Sequence, residues 1–356
     1  MPAAGPPVKD AKFMKQCIEG GCGGIVAKTI SQQPAVVPRP CMIYREHNSM
    51  LNHELWSDMP WQEWLGKEYQ EVKKAYPNVP FIGSAGYNKE DIGFLAPKMV
   101  EAGADILELS IHYLGSDPTF MEESIKAAIR ATGGKVPVFP KLSPNIPDIK
   151  EFARRAQAAG ASGIVAINSV GPCLGIDVET GMPVTGGPNG YGWLSGEAVK
   201  PMALRCVFEI ASAVDIPVIA VGGISSGLDA VEFIMAGASA VQVCTAAIYK
   251  GNSIYGKIAK EIEQFMVRKG YNTINDFKGL ALKNNKLRKD KYLNPSVPVL
   301  LSEKCRKCGD CVKACIYGAV SMEKGKFPTF DPELCYGCGL CKSKCKYGAL
   351  TQNFWK

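Results

Sequence analysis

The chain has 356 residues, 46% of them apolar, enough for one large domain of about 250 to 300 residues and a smaller unit beside it. No apolar run reaches the roughly 18 residues that span a bilayer, and no secretory leader pattern follows Met1, so a cytoplasmic protein without a membrane span is expected. The formal charge of +7 counts every cysteine as neutral, which matters because the chain has 14 of them.

From the start to about residue 270, short β-branched runs alternate with longer amphipathic segments, the pattern of a parallel sheet covered by helices. The expected strands are 24–28, 79–83, 105–110, 136–141, 163–168, 217–221 and 240–244. An eighth, first in order, is expected to end at residues 2–5 with its front missing. The helical segments are 10–19, 61–75, 89–102, 119–131, 149–159, 197–213, 227–236 and 254–269. Eight strand–helix units close most naturally into a (β/α)8 TIM barrel over residues 1–270, with an open doubly wound sheet as the alternative. Two strand-to-helix loops, 31–60 and 169–195, exceed the usual two to six residues and are candidate substrate-binding elements. Residues 271–299 read as a basic connector, with Lys283, Lys286, Arg288, Lys289 and Lys291 on a solvated face.

The remaining stretch, 300–356, holds eight cysteines in two copies of one spacing. Cys305, Cys308, Cys311 and Cys315 read C-x2-C-x2-C-x3-C, and Cys335, Cys338, Cys341 and Cys345 repeat it. Three thiolates two residues apart can wrap one face of an iron–sulfur cube while the fourth reaches the other cube. Cys305, Cys308 and Cys311 are therefore expected to share a cluster with Cys345, and Cys335, Cys338 and Cys341 to share one with Cys315. Disulfides would need an oxidising compartment, and zinc sites built from two C-x2-C pairs would leave a third cysteine unexplained. The stretch resembles a bacterial-type 2[4Fe-4S] ferredoxin domain. It departs from that pattern only where a proline usually follows the fourth cysteine, here Ile316 and Lys346. The other cysteines, at 17, 22, 41, 173, 206 and 244, are mostly expected to be small buried hydrophobes.

Val221-Gly222-Gly223-Ile224-Ser225 follows the seventh expected strand and opens a helix, and Val243-Cys244-Thr245 follows the eighth. Glycines let backbone N–H groups approach an anion, and the loops after strands seven and eight are the recurrent phosphate site of such barrels. Lys141 ends a strand at the catalytic face, where a fixed cation can stabilise developing negative charge. With these segments, Pro2-Ala3-Ala4-Gly5-Pro6, Ala27-Lys28-Thr29, Asn52-His53-Glu54-Leu55, Lys141-Leu142-Ser143-Pro144-Asn145, Ala166-Ile167-Asn168-Ser169 and Leu194-Ser195-Gly196 give a specific resemblance. The chain is similar to the flavin domain of the dihydroorotate and dihydropyrimidine dehydrogenases, fused to the ferredoxin tail carried by the pyrimidine-reducing members.

That resemblance implies FMN at the barrel mouth. Its phosphate would lie against Gly222, Gly223, Cys244 and Thr245, with Ser195 and Gly196 near the ribityl chain and Ala4 and Gly5 among the other cofactor-binding residues. Lys141 would lie by the N1 and O2 edge of the ring, Lys28 and Thr29 by the phosphate side or ring edge, and Asn168 nearby. Asn52, Glu54, Ser110, Asn168 and Ser169 fall at substrate-contacting positions. The family's catalytic loop carries an asparagine, leucine, serine and an acid–base cysteine, whereas this chain reads Ser110-Ile111-His112-Tyr113-Leu114. Tyr113 stands where the cysteine would be. An unperturbed tyrosine, with a pKa of about 10, is a weaker acid than a cysteine at about 8.5, and histidine is better matched to neutral pH. Tyr113, His112, or another residue or water remain as proton donors. With the asparagine replaced and the following link shortened, uracil and thymine do not carry over from the resemblance.

Each oxidised cubane adds about −2 and a flavin phosphate about −2, which brings the assembled protein near +1 and argues against nucleic acid as a partner. The expected activity is reduction or oxidation of a C=C bond in a small planar, pyrimidine-like substrate, with electrons passing between FMN and two [4Fe-4S] clusters. Gly20 to Gly24 precede a strand, the wrong context for a dinucleotide fingerprint. An external ferredoxin or an NAD(P)H-oxidising flavoprotein subunit is thus the implied partner, and an oligomer is expected. Two alternatives are a flavin enzyme for a non-pyrimidine unsaturated substrate and an electron-transfer subunit without substrate chemistry of its own.

Overall fold

In the computed structural model the described residues are 1–46, 48–111, 115, 117–286 and 296–352. They form two compact units, Met1–Leu282 and Lys283–Lys356. Among the described residues no helix is long and apolar enough to cross a membrane.

In the first unit, strand β1 (Ile25–Val26) is followed by the hairpin β2 (Met42–Arg45) and β3 (Ser49–Asn52). Then come β4 (Phe81–Ala85), β5 (Ile106–Ser110), β6 (Val138–Leu142) and β7 (Ile164–Ala166), separated by helices Lys89–Glu101, Thr119–Thr132 and Ile149–Ala158. After β8 (Val170–Leu174) and β9 (Tyr191–Gly196), strands β10 (Val218–Val221) and β11 (Ala240–Gln242) complete the parallel set. The order β1-β4-β5-β6-β7-β10-β11 is that of a curled parallel sheet with helices outside, the TIM-barrel arrangement. Residues 1–3 run beside β11: Pro2 makes a parallel bridge to Val243, and the Ala3 amide donates to the Val243 carbonyl at 3.0 Å.

Four of the helices begin where the sequence supplies a cap. Asp10, Asn88, Asp148 and Ser226 each accept the amide three residues on, and each such cap contributes about 1 kcal/mol. Successive strand residues face opposite ways. Leu107, Leu109, Val138 and Ile164 meet the helices in the main core. Ala3, Phe139, Val165, Ile219 and Val221 form a second apolar cluster, on the alternate strand positions that face the barrel axis. The expected helix 61–75 is three segments, Trp61–Glu63, a π-helical stretch Trp64–Glu68 and Tyr69–Ala75, and the buried Glu68 accepts the Ala11 amide at 2.5 Å.

The two long loops contain regular structure that the sequence reading did not anticipate. Strands β2 and β3 from the first pair with β9 and β8 from the second in one antiparallel sheet of order β2-β3-β9-β8. The join is β3 to β9, with Ser49 opposite Gly196 and Asn52 opposite Trp193. Gly196, at φ +89°, admits no side chain, because a Cβ there would lie 2.4 Å from the Asn48 carbonyl.

The second unit is built on two short antiparallel pairs. Strand β12 (Val299–Leu300) pairs with β15 (Leu350–Thr351), and β13 (Val320–Ser321) with β14 (Thr329–Phe330). Helices Asp310–Ala314 and Leu340–Lys344 carry the third cysteine of each motif, and the apolar centre is no more than Val320, Cys341 and Leu350 with partly buried neighbours.

Candidate active site

At the C-terminal ends of the parallel strands lies a cavity of about 320 Å³. The described residues expected at a cofactor or substrate all line it, arriving from many separate elements. Ala4 and Gly5 follow the bridge at residue 2, Lys28 and Thr29 follow β1, and Ser110 ends β5. Lys141 comes from β6, Asn168 and Ser169 from the turn after β7, and Gly222 and Gly223 from the turn after β10. Cys244 and Thr245 come from the turn after β11, while the antiparallel sheet adds Ser195 and Gly196 and brings in Asn52 and, just beyond it, Glu54. His112 and Tyr113 lie outside the described residues.

One end of the cavity is walled by backbone. Gly222 and Gly223 take φ values of +129° and +75°, and a Cβ on Gly223 would fall 2.6 Å from the Cβ of Lys200 and 2.8 Å from its backbone. Only glycine therefore fits, which leaves main chain facing the cavity. The turn is tied down from behind: Asp229 accepts from the Ser225 amide (3.0 Å), the Ser226 hydroxyl (2.8 Å) and Lys200 Nζ (2.5 Å). Burial disfavours the Asp229 carboxylate, but these hydrogen bonds outweigh it and hold Asp229 below the usual range. The Thr245 hydroxyl donates to Ser195 Oγ at 3.0 Å, linking the last loop to the antiparallel sheet.

The other end is charged. Lys28 Nζ donates to the Leu55 carbonyl at 2.6 Å and pairs with Glu54 at 2.8 Å. Thr29 and the buried Ser84 share a hydrogen bond of 2.8 Å. Lys141 Nζ lies 3.3 Å from Glu108 Oε1, and Glu108 Oε2 accepts from Gln242 Nε2 at 2.7 Å. Asn52 Nδ2 donates to the Trp193 carbonyl at 2.9 Å, and Asn168 Oδ1 accepts the Ser169 amide at 2.9 Å, so both amides are held in place by local bonds. Cys41 and Cys173 are partly exposed, and so is the Cys244 residue as a whole although its thiol is enclosed, whereas Cys17, Cys22 and Cys206 are buried as expected.

Sequence reasoning missed several lining residues. Trp56 and Tyr87 meet edge to face with ring centroids 4.7 Å apart and, with Trp193, give the cavity aromatic walls. Burial, and then the charge of Glu54, push the Tyr87 hydroxyl above its ordinary range. Also missed were Gln242, which lines the cavity, and Glu108, which lies behind Lys141 and does not. The available signal was a carboxylate in the middle of the otherwise apolar run Ile106-Leu107-Glu108-Leu109, which a strand facing only apolar neighbours would not carry.

In the second unit the cysteines fall around two small cavities. One is lined by Cys305, Cys308, Cys311 and Cys345, the other by Cys315, Cys335, Cys338 and Cys341. Amides of Lys307 and Gly337 donate to the sulfurs of Cys305 and Cys335, each at 3.4 Å, and the Ala349 amide donates to Cys345 at 3.3 Å. Such bonds favour thiolates and tune the potential of a cluster. Among the described residues no three His, Cys, Asp or Glu side chains converge on a point that would hold a single metal ion.

Residues 1–266 match the family model described as dihydroorotate dehydrogenase. The chain belongs to that family. Residues 304–349 match a second model, described as a 4Fe-4S dicluster domain. Among curated relatives, a protein of Methanosarcina mazei named dihydroorotate dehydrogenase B (NAD(+)), catalytic subunit, is 39% identical over 282 residues, covering 76% of this chain and 87% of the relative. Proteins of the same name from Pyrococcus abyssi and Thermoplasma volcanium are 35% and 36% identical, with 76% and 80% of this chain and 91% and 94% of the relatives covered. The family is one of flavin oxidoreductases acting on CH–CH groups, and it binds FMN. The cavity fits that group: at Gly222 and Gly223 the lining is main chain alone, and the buried cation Lys141 lines the same cavity.

Proposed function

We propose that the chain adds hydrogen to, or removes it from, a C=C bond of a small planar, pyrimidine-like ring, with FMN in the 320 Å³ cavity and electrons passing through two [4Fe-4S] clusters. The observation that carries this reading is the convergence on one cavity, at the catalytic end of the barrel, of Lys141, the Gly222–Gly223 wall and the amide-bearing Asn52 and Asn168. Bound FMN supplies hydride transfer at its N5 and joins two-electron to one-electron chemistry. Gly222, Gly223, Cys244 and Thr245 are assigned to its phosphate, Ser195 and Gly196 to the ribityl chain, and Ala4, Gly5, Lys28 and Thr29 to the same cofactor. Lys141 places a positive charge against the ring where negative charge grows on reduction. Asn52, Glu54, Ser110, Asn168 and Ser169 bind the substrate; amide side chains both donate and accept, matching a cyclic amide. His112 or Tyr113 delivers the proton. The separate quartets around the two small cavities support one cluster each, with crossed ligands. An external ferredoxin or NAD(P)H-oxidising flavoprotein subunit in the cytoplasm exchanges the electrons.

The test is stopped-flow reoxidation of the anaerobically reduced holoprotein by orotate, uracil, thymine and related unsaturated rings. At least one of these rings reoxidises the flavin rapidly, and Tyr113→Phe or His112→Gln slows that step by about 10²-fold or more. Silence with every ring, in protein whose flavin and clusters reduce normally, overturns the substrate class; unchanged rates in both variants remove the acid pair.

A further inference from the structure

Beneath the cavity, three polar side chains of the barrel interior bond to one another. Glu108 is fully buried, Gln242 likewise, and Lys141 is 6% exposed. The Glu108 carboxylate is shared, Oε1 with Lys141 at 3.3 Å and Oε2 with Gln242 Nε2 at 2.7 Å. A carboxylate at such a position costs several kcal/mol unless it is paired and hydrogen-bonded. The strand registers bring the three together: Ser110 of β5 lies opposite Lys141 of β6, which turns Glu108 to the same interior face one step below. Gln242 reaches across the axis from β11. Its own Oε1 is buried and has no partner among the described residues, so the amide's orientation is set by Glu108 alone. Lys141 and Gln242 line the cavity whereas Glu108 does not.

We infer that Glu108 is a positioning residue which, through its ion pair with Lys141, sets the charge that the pocket floor presents to the flavin. The inference rests on the flavin reading of the cavity. A lone Lys141 ammonium in this apolar surrounding would favour the reduced, more negative cofactor strongly; the carboxylate one bond away cancels part of that field and holds the ammonium in one place. Gln242 completes the arrangement by occupying the second carboxylate oxygen, which prevents Glu108 from swinging both oxygens onto the lysine.

The experiment is an anaerobic reductive titration of the FMN in the full holoprotein against a reference dye, after the FMN content of each variant has been measured. Glu108→Gln shifts the equilibrium toward reduced flavin by about tenfold or more, a rise of about 30 mV for a two-electron couple. Glu108→Asp keeps the charge one methylene farther away and shifts it in the same direction by less. In a Lys141→Met background the added Glu108→Gln change has no further effect. Wild-type protein that binds no FMN would defeat the flavin reading itself. FMN bound in full with a Glu108→Gln ratio within about twofold of wild type would defeat this inference alone, as would an equal shift with and without Lys141. Should Glu108→Gln fail to fold, the same titration of Glu108→Asp decides, and an unchanged ratio there refutes the inference.

Discussion

Cys345 belongs by sequence to the second cysteine motif, yet it lines the cavity of the first, beside Cys305, Cys308 and Cys311. Paired alanine substitutions turn that crossing into a yes-or-no result. Cys305→Ala with Cys345→Ala removes two ligands from one cavity and leaves the quartet of Cys315, Cys335, Cys338 and Cys341 whole. Cys335→Ala with Cys345→Ala removes one ligand from each, so that neither cavity keeps four thiolates. With two cubes the wild-type chain carries about eight irons; the first double variant keeps about four in an unaltered cluster, and the second keeps no unaltered cluster. Iron and sulfide content, with electron paramagnetic resonance of the dithionite-reduced proteins, reads the difference. The stability of the tail moves with it, because its apolar centre is only Val320, Cys341 and Leu350 with partly buried neighbours, and a unit so small relies on its metal centres to stay folded. The first variant then unfolds one half at lower temperature and the second both. If the Cys335 and Cys345 variant retains an unaltered cluster while the Cys305 and Cys345 variant has none, the ligands are not crossed and the reasoning fails.

Two further predictions concern the barrel. Gly223→Ala forces a side chain into a backbone at φ +75° and against Lys200, which costs at least about 1–2 kcal/mol and displaces the turn; FMN affinity, measured by quenching of flavin fluorescence, falls by about tenfold or more, and unchanged affinity would refute the assignment of the phosphate end. Burial above all, with Glu54 adding and Lys141 and Lys28 opposing, pushes the Cys244 thiol up to about 12, so at pH 8 iodoacetamide labels it roughly a thousandfold more slowly than a free cysteine, as mass spectrometry of digests can read; labelling at the free rate would contradict the burial of its thiol.

The parallel strands were legible because a strand buried on both faces reads as a short β-branched run bounded by turns, and Phe81–Ala85, Ile106–Ser110 and Val138–Leu142 fall within about two residues of their expected bounds. The cysteine spacing was legible for a different reason, since a cluster's reach fixes its ligands' separation. The antiparallel strands were not. β8 contains Gly171 and Pro172, which locally argue against a strand, and its partner β9 lies beyond an irregular stretch; the pairing of β3 with β9 spans well over a hundred residues, so nothing local announces it. Lys141 was found by its place at a strand end, but its partners were hidden, because Glu108 and Gln242 meet only after the sheet has closed and brought β5 and β11 across one axis. Trp56 and Tyr87 escaped notice because an aromatic residue in a loop carries no spacing signal; only the fold makes them two walls of one cavity.

The four-stranded sheet has a consequence for how such chains change over time. Its strands are donated by two insertions far apart in sequence, and β3 and β9 are bonded residue to residue from Ser49–Gly196 to Asn52–Trp193. A single-residue deletion in either strand would slip that register and turn Asn52 away from the cavity. The two insertions therefore cannot drift independently. A tolerated change of length within these strands needs a matching change in the partner strand, so two distant loops are tied to one another by a handful of backbone bonds at the rim of the barrel.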